Sequence, residues 1–360
     1  MGNSICRATS QTAYVRTYSP STKEQTGPYP STSSFPINRN VKMALLGPSF
    51  SGKSTILRRF RVLNDPYFLK HEATEFREVI LYQLVHTIQS LLLQHPGQLL
   101  PEFTSQAFYL TDLGPYPQLF NEEGIFIPEI QQAILFIAPL LFHILETAIH
   151  IPDAAEYFAL NLSRLLAPDF YPNETDVLHA HIKTIGLSQT SLYNEATQSL
   201  FTVIDVSGHQ SERKKWAKCL EGCDIIVFVF AISDFDRRVA ENPETSVVEE
   251  ALELWASIIK QVSKWIDNLN IILLLNKTDL FRRKLQTHQF RNYFPEFQGS
   301  NSFSEAAQFL SDQFCNHVHD RDRFLFTHLT QATQPDRIDG FFKDVEEVIK
   351  SNYVNTCALL

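Results

Sequence analysis

The chain has 360 residues, 44% of them hydrophobic, and its 31 Lys and Arg against 40 Asp and Glu give a formal net charge of −9. That length allows two domains with a large core. The acidic balance excludes a nucleic-acid footprint, since basic clusters are only local, as at Arg58 with Arg59 and at Arg213 with Lys214 and Lys215.

Residues 1–40 are rich in Ser, Thr, Pro and Tyr without helical or strand period, and read as a flexible arm. No secretory signal is expected there. Gly2 behind the initiating Met is a near match to a myristoylation signal, and Cys6 suits palmitate; two acyl chains would anchor stably where one binds marginally. The run "VKMALLG" (41–47) predicts a buried strand, with a helix from about Lys53. From about Glu72 the pattern turns helical: Phe76, Val79, Ile80, Leu84, Ile88 and Leu91 recur at three and four. Further helices are expected at 129–149 and 153–166. The most apolar stretch, 133–149, is too short to span a membrane and is interrupted by Pro139, His143 and Glu146, so it reads as a buried helix.

Strand signals return at 199–208, 223–233 and 270–279, as continuous apolar runs of the parallel-sheet kind, with helical patterns at 247–262 and 338–350. This is α/β alternation with a helical insert after the first strand–helix unit. The five cysteines, Cys6, Cys219, Cys223, Cys315 and Cys357, lack metal-finger spacing and suit a reducing compartment better than a disulfide framework. The terminal "CALL" also fits a prenylation signal at Cys357.

Three motifs carry chemistry. "GPSFSGKS" (47–54) matches the phosphate loop G-x-x-x-x-G-K-[ST], in which backbone N–H groups and a helix start face anionic oxygens. Gly47, Phe50, Ser51, Gly52, Lys53, Ser54 and Thr55 are its expected nucleotide contacts, with Lys53 on the β- and γ-phosphates and the Ser54 hydroxyl on Mg²⁺. In "DVSGH" (205–209), Asp205 would hold Mg²⁺ through water and the Gly208 N–H would sense the γ-phosphate. In "NKTD" (276–279), Asp279 can accept both donors of guanine's edge and Lys277 can lie along the base, beside Asn276; "TQAT" (330–333) would add the Ala332 N–H to the guanine oxygen. Their joint order points to a guanine-nucleotide switch.

With these motifs on the page, residues 41–360 resemble the alpha subunits of heterotrimeric G proteins, most specifically in "APDFYPNETDVLHAHIKTIGL", "DVSGHQSERKKW", "SDFD" and "NKTDLF". The resemblance implies an α/β fold: a Ras-like P-loop GTPase domain with a parallel-rich central sheet and an inserted all-α helical domain. Its expected boundaries are 1–40 for the arm, 41–68 and 176–360 for the GTPase domain, and 69–175 for the helical domain. It further implies that Thr184 is the second protein ligand to Mg²⁺, that Leu178, His179 and Asp153 line the nucleotide, and that Arg213 pairs with Glu250 between two switches. The implied partners are a G-protein-coupled receptor at the C-terminus, a beta–gamma dimer on "ERKKW", and an effector; the implied place is the cytoplasmic face of a membrane. Pro20, Gly27, Pro28, Pro30 and Pro36 forbid the long N-terminal helix that the family offers to beta–gamma.

The departures bear on turnover. His181 stands where the family has a catalytic arginine, and His209 where it has the glutamine that orients water, with Gln210 one place later. Ser49 and Phe50 replace a glycine and a glutamate of the phosphate loop. The arginine alone contributes roughly 10³–10⁵ in rate, a magnitude established on this same family. Tight GTP binding with slow hydrolysis is therefore expected; the alternative is a non-hydrolysing, GTP-held scaffold that does not cycle through a heterotrimer. His179, His181 and His209 would also suit a zinc ion, against which loop mobility argues.

Overall fold

The computed structural model describes residues 40–346, except 116, 148–150, 183–185, 196–198, 210–212, 214–215, 240–241, 263–268, 319–324, 335–336, 339 and 344. In chain order, β1 (Asn40–Leu46) leads through a loop into α1 (Lys53–Asn64). The helices α2 (Phe68–Gln94), α3 (Thr104–Asp112), α4 (Pro128–Phe136), α5 (Ala138–Thr147), α6 (Ala155–Leu160), α7 (Leu162–Leu165) and α8 (Glu174–His179) follow. Then come β2 (Leu187–Asn194), β3 (Ser199–Val206), α9 (Trp216–Leu220), β4 (Ile225–Ala231) and the small hairpin of β5 (Arg238–Val239) and β6 (Asn242–Ser246). The chain continues with α10 (Val247–Val262), β7 (Asn270–Asn276), α11 (Thr278–Thr287), α12 (Phe303–Cys315) and β8 (Leu325–Leu329).

The chain divides into two compact units, one running from Pro66 to Ile182 and the other made of residues up to 65 and from 183 onward. The latter unit holds a six-stranded sheet in the order β2-β3-β1-β4-β7-β8, parallel except for β2, which pairs antiparallel with β3. Alternation of side chains sends Val41, Met43 and Leu45 to one face with Ile56, Phe60 and Phe341, and Ala44 and Leu46 to the other with Trp255, Phe281 and Phe314. Both faces are covered, so strands such as β4 are buried at every position and read as unbroken apolar runs. Trp255 fits this dry core because its indole N–H donates to Phe314 O at 2.8 Å.

Three sequence expectations need correction. The helix expected at 129–149 is two helices, α4 and α5, meeting at 49°. Pro139 lacks the N–H that would continue the ladder to Leu135, and its ring crowds that carbonyl. The stretch 153–166 likewise divides into α6 and α7 at Asn161, whose side chain donates to Tyr157 O at 2.8 Å. The first strand after the insert is β2, not the strand bearing Asp205; its "LSQTSLYN" is mostly exposed at the sheet edge and so lacks the apolar run that marks its neighbours.

The helical unit packs around α2, whose Ile80, Leu84, Ile88 and Leu91 are buried. Gln89 ties it to α3 by donating to Leu110 O and Gly114 O. Among the described residues no single helix is long and apolar enough to cross a membrane; α4 and α5 reach that length only as a bent pair, and Ile134, Ile137, Leu140 and Ile144 from it are buried.

Candidate functional site

The sheet brings the sequence motifs to the C-terminal ends of β1, β3 and β7, where loops of an open parallel sheet gather. After β1 the chain turns sharply at Gly47, with φ 138; a Cβ there would sit 2.1 Å from Val229 O. Gly52, with φ 100, similarly leaves no room beside the Asn276 amide. Between them Phe50 takes φ 62, a left-handed conformation uncommon for a bulky residue, and points 59% of its surface outward.

The loop delivers α1 with no acidic residue in its first turn and no side chain capping its N-terminus, which leaves the orphan N–H groups of that turn to an anion. Lys53 is buried there. Its Nζ donates to Gly47 O at 2.9 Å and Pro48 O at 2.6 Å. Burial lowers its pKa from 10.5 to about 8, with Asp205 opposing the shift and Arg213 and Lys277 adding to it.

Ser54 Oγ donates to Asp205 Oδ2 at 2.9 Å, so the hydroxyl and carboxylate expected to serve Mg²⁺ lie together. Parallel pairing places them: Leu45 stands opposite Asp205 in the β1–β3 register. An all-oxygen pair suits a hard divalent cation. Gly208 follows, packed so closely on the phosphate loop that a Cβ would lie 2.5 Å from Pro48 C and Ser49 N. Arg213 holds this corner, donating to Gly208 O and pairing with Glu250, each at 3.1 Å. His209 is exposed, with its N–H 3.4 Å from Ser207 Oγ.

Asn276 is a keystone between loops. Its Nδ2 donates to Ser51 O at 2.9 Å, while its Oδ1 accepts from Ala332 N–H at 3.0 Å and from Thr330 Oγ1 at 3.3 Å. The Ala332 N–H, expected to face a guanine oxygen, is thus engaged by Asn276. Lys277, at φ 60, turns the chain into α11 and leaves Asp279 exposed in the helix's first turn.

In the helical unit, Leu178 is buried and Asp153 and His181 are exposed. His179 stacks on Tyr157 with centroids 3.7 Å apart, and its Nδ1 lies 2.8 Å from Thr175 O. The buried Asp176 accepts from Tyr157 OH, from Arg164 and from the Asn173 N–H. Burial works against its charge, yet those hydrogen bonds hold its carboxyl below the ordinary range, and burial together with Asp176 pushes the Tyr157 phenol up. Among the described residues no three His, Cys, Asp or Glu are grouped to hold a metal ion. Gly2, Cys6, Thr184, Gln210 and Cys357 lie outside the described residues.

Motif reading passed over Gln83, Tyr157 and Arg164. The capping box of Asn173 and Asp176 was findable, since N-x-x-D ahead of an apolar pair is a helix-start signature. Gln83 had no such signal, being one polar residue on a long helix.

Known proteins resemble the chain along most of its length. The family described as G-protein alpha subunit matches residues 22–349. The guanine nucleotide-binding protein alpha-3 subunit of Neurospora crassa is 33% identical over 330 residues, covering 90% of this chain and 91% of that protein. The guanine nucleotide-binding protein subunit alpha of Colletotrichum trifolii is 31% identical over 332 residues, covering 90% and 92%. The alpha-1 subunit of Neurospora crassa is 30% identical over 326 residues, covering 89% and 91%.

Proposed function

This chain belongs to the G-protein alpha-subunit family, and from that premise we propose that it is a guanine-nucleotide switch that holds GTP and turns it over slowly. The observation that carries the reading is the convergence of Lys53, Ser54, Asp205 and Gly208 on one loop, next to a His209 that cannot act as glutamine does. Backbone N–H groups of the loop and of α1 bind the phosphates, and Lys53 neutralises them. Ser54 and Thr184, with Asp205 through water, would hold Mg²⁺, which would supply charge neutralisation at the phosphates. Asp279 selects guanine, with Lys277 along the base; Leu178, His179 and Asp153 are the helical unit's contacts.

Hydrolysis needs a positioned water and a cation on the developing charge. A glutamine amide offers water both a donor and an acceptor; a neutral imidazole offers one of each on opposite ring edges. Arginine is permanently charged, and no histidine is. Single-turnover hydrolysis of bound GTP tests this: His209→Gln and His181→Arg together should raise the rate by about 1,000-fold or more, the span such groups contribute. Unchanged rates in both single variants and the double variant would sink the account.

The two histidines also favour a second reading, a GTP-held scaffold that does not cycle. Capture of a beta–gamma dimer by the GDP-loaded chain supports the switch; its failure supports the scaffold. Lipid at Gly2 and Cys6, a receptor at the C-terminus, and a place on the cytoplasmic membrane face belong to the same proposal, and intact-mass measurement of the native protein reads the acyl chains directly.

A further inference from the structure

The central sheet ends on one side at β2, whose eight residues pair with β3 alone among the described residues. The direction of its free backbone groups follows from one contact. Ser207 N–H donates to Gly186 O at 3.0 Å, and across that trans peptide the Leu187 N–H points the opposite way, off the edge of the sheet. Backbone groups alternate sides along a strand. Leu187, Gln189, Ser191 and Tyr193 therefore turn N–H and C=O outward, while Ser188, Thr190 and Leu192 serve the β3 ladder. The same four residues carry exposed side chains, among them Leu187 at 45% and Tyr193 at 52%. Edges of this kind are ordinarily blunted by a charge, a proline or a bulge. Here β2 has none of these: "LSQTSLYN" holds no charged residue and no proline, and its register with β3 runs unbroken from Leu187 to Asn194.

We propose that β2 is a self-association edge, to which a second copy of this chain adds its own β2 antiparallel, about a two-fold axis through Thr190. Such an axis stands perpendicular to the sheet and keeps each face on its own side, so outward-turned residues meet outward-turned residues. Centred on Thr190, Leu187 faces the partner's Tyr193 and Gln189 faces the partner's Ser191, and each pair recurs by symmetry. These are hydrogen-bonded pairs that exchange two bonds each, and they match apolar with apolar and polar with polar. An axis through Ser191 would set Tyr193 against the partner's Gln189 and leave Leu187 without an opposite number. The lack of charge favours a second copy over a foreign strand: two copies do not repel, and nothing on the edge selects a partner by charge. One pair of strands buries little surface, so the dimer is weak and forms by concentration.

Sedimentation velocity of the full chain tests this. The protein should run as monomer at about 1 µM and increasingly as dimer by about 100 µM, as a small interface allows. Ser191→Pro removes an outward N–H and spares the β3 ladder, so it should fold and weaken dimerisation about tenfold or more. Gln189→Lys and Ser191→Glu should each weaken it about threefold or more, by bringing like charges together across the axis. Mixed in equal amounts, those two variants should recover a heterodimer, because the introduced charges face each other in the register centred on Thr190 and in neither adjacent one. A chain that stays monomeric up to about 100 µM, a dimer indifferent to Ser191→Pro, or a mixture no tighter than its components overturns the proposal. Open-ended association does so too, since a two-fold contact closes at two copies. Should Ser191→Pro fail to fold by circular dichroism, the pair of charge variants decides alone.

Discussion

Lys53 donates to carbonyls of its own loop while burial holds its pKa near 8 instead of 10.5. Between those values the unfolded chain binds more protons than the folded one, so this group's cost to stability is full at pH 8 and below and fades as pH rises toward 10.5. A polyphosphate beside Nζ favours the ammonium, so GTP binding should take up a proton at pH 8.5 and almost none at pH 7. Calorimetry in two buffers of different ionisation enthalpy measures that uptake, and a zero value at pH 8.5 refutes the coupling. Gly208 makes a second prediction. An added methyl must push on Pro48 and Ser49 main chain at 2.5 Å, so Gly208→Ala should lose about 1–3 kcal/mol in thermal or denaturant unfolding. Lys53, Ser54 and Asp205 were legible as sequence because their spacing is the chemistry. The use of the Ala332 N–H by Asn276 was not, since it depends on two loops 56 residues apart meeting above the sheet.

Among the elements, α8 shows how a short helix is held. Its capping box joins Asn173 and Asp176, and the same Asp176 anchors Arg164 and Tyr157. Arg164→Leu would leave a buried carboxylate without its cation and should cost about 2–4 kcal/mol, less than a fully buried pair because Arg164 is partly exposed. Because the folded pKa of Asp176 is depressed, its contribution is present above the ordinary carboxylate range and lost as pH falls through the folded value. Asp176→Asn should therefore flatten the acid limb of the stability curve below about pH 4; an unchanged acid limb would contradict this. The periodicity of 247–262 marked α10 correctly to both ends. The break between α4 and α5 was missed because apolar residues continue across Pro139, and composition alone does not say whether a proline bends a helix or ends it.

At the scale of the whole molecule, charge is unevenly divided. Residues 66–182 contain 3 Lys and Arg against 14 Asp and Glu, a net −11, while the rest of the chain holds 28 against 26, a net +2. Self-repulsion within the acidic unit is screened by salt. Its amides should therefore exchange hydrogen more slowly at 0.5 M than at 0.02 M salt, and those of the sheet-bearing unit should change less; equal responses would refute the asymmetry. By itself the sequence determined the family, the class of ligand expected and the buried parallel strands, because each is a matter of local composition and spacing. The tertiary structure alone decided which groups meet. Parallel register set Asp205 against Ser54, Asn276 closed one loop on another, and Tyr157 stacked on His179 while Gln83 met the His181 main chain. Such contacts join residues up to 225 positions apart, and no local pattern encodes a distance that only the packed sheet and helices impose.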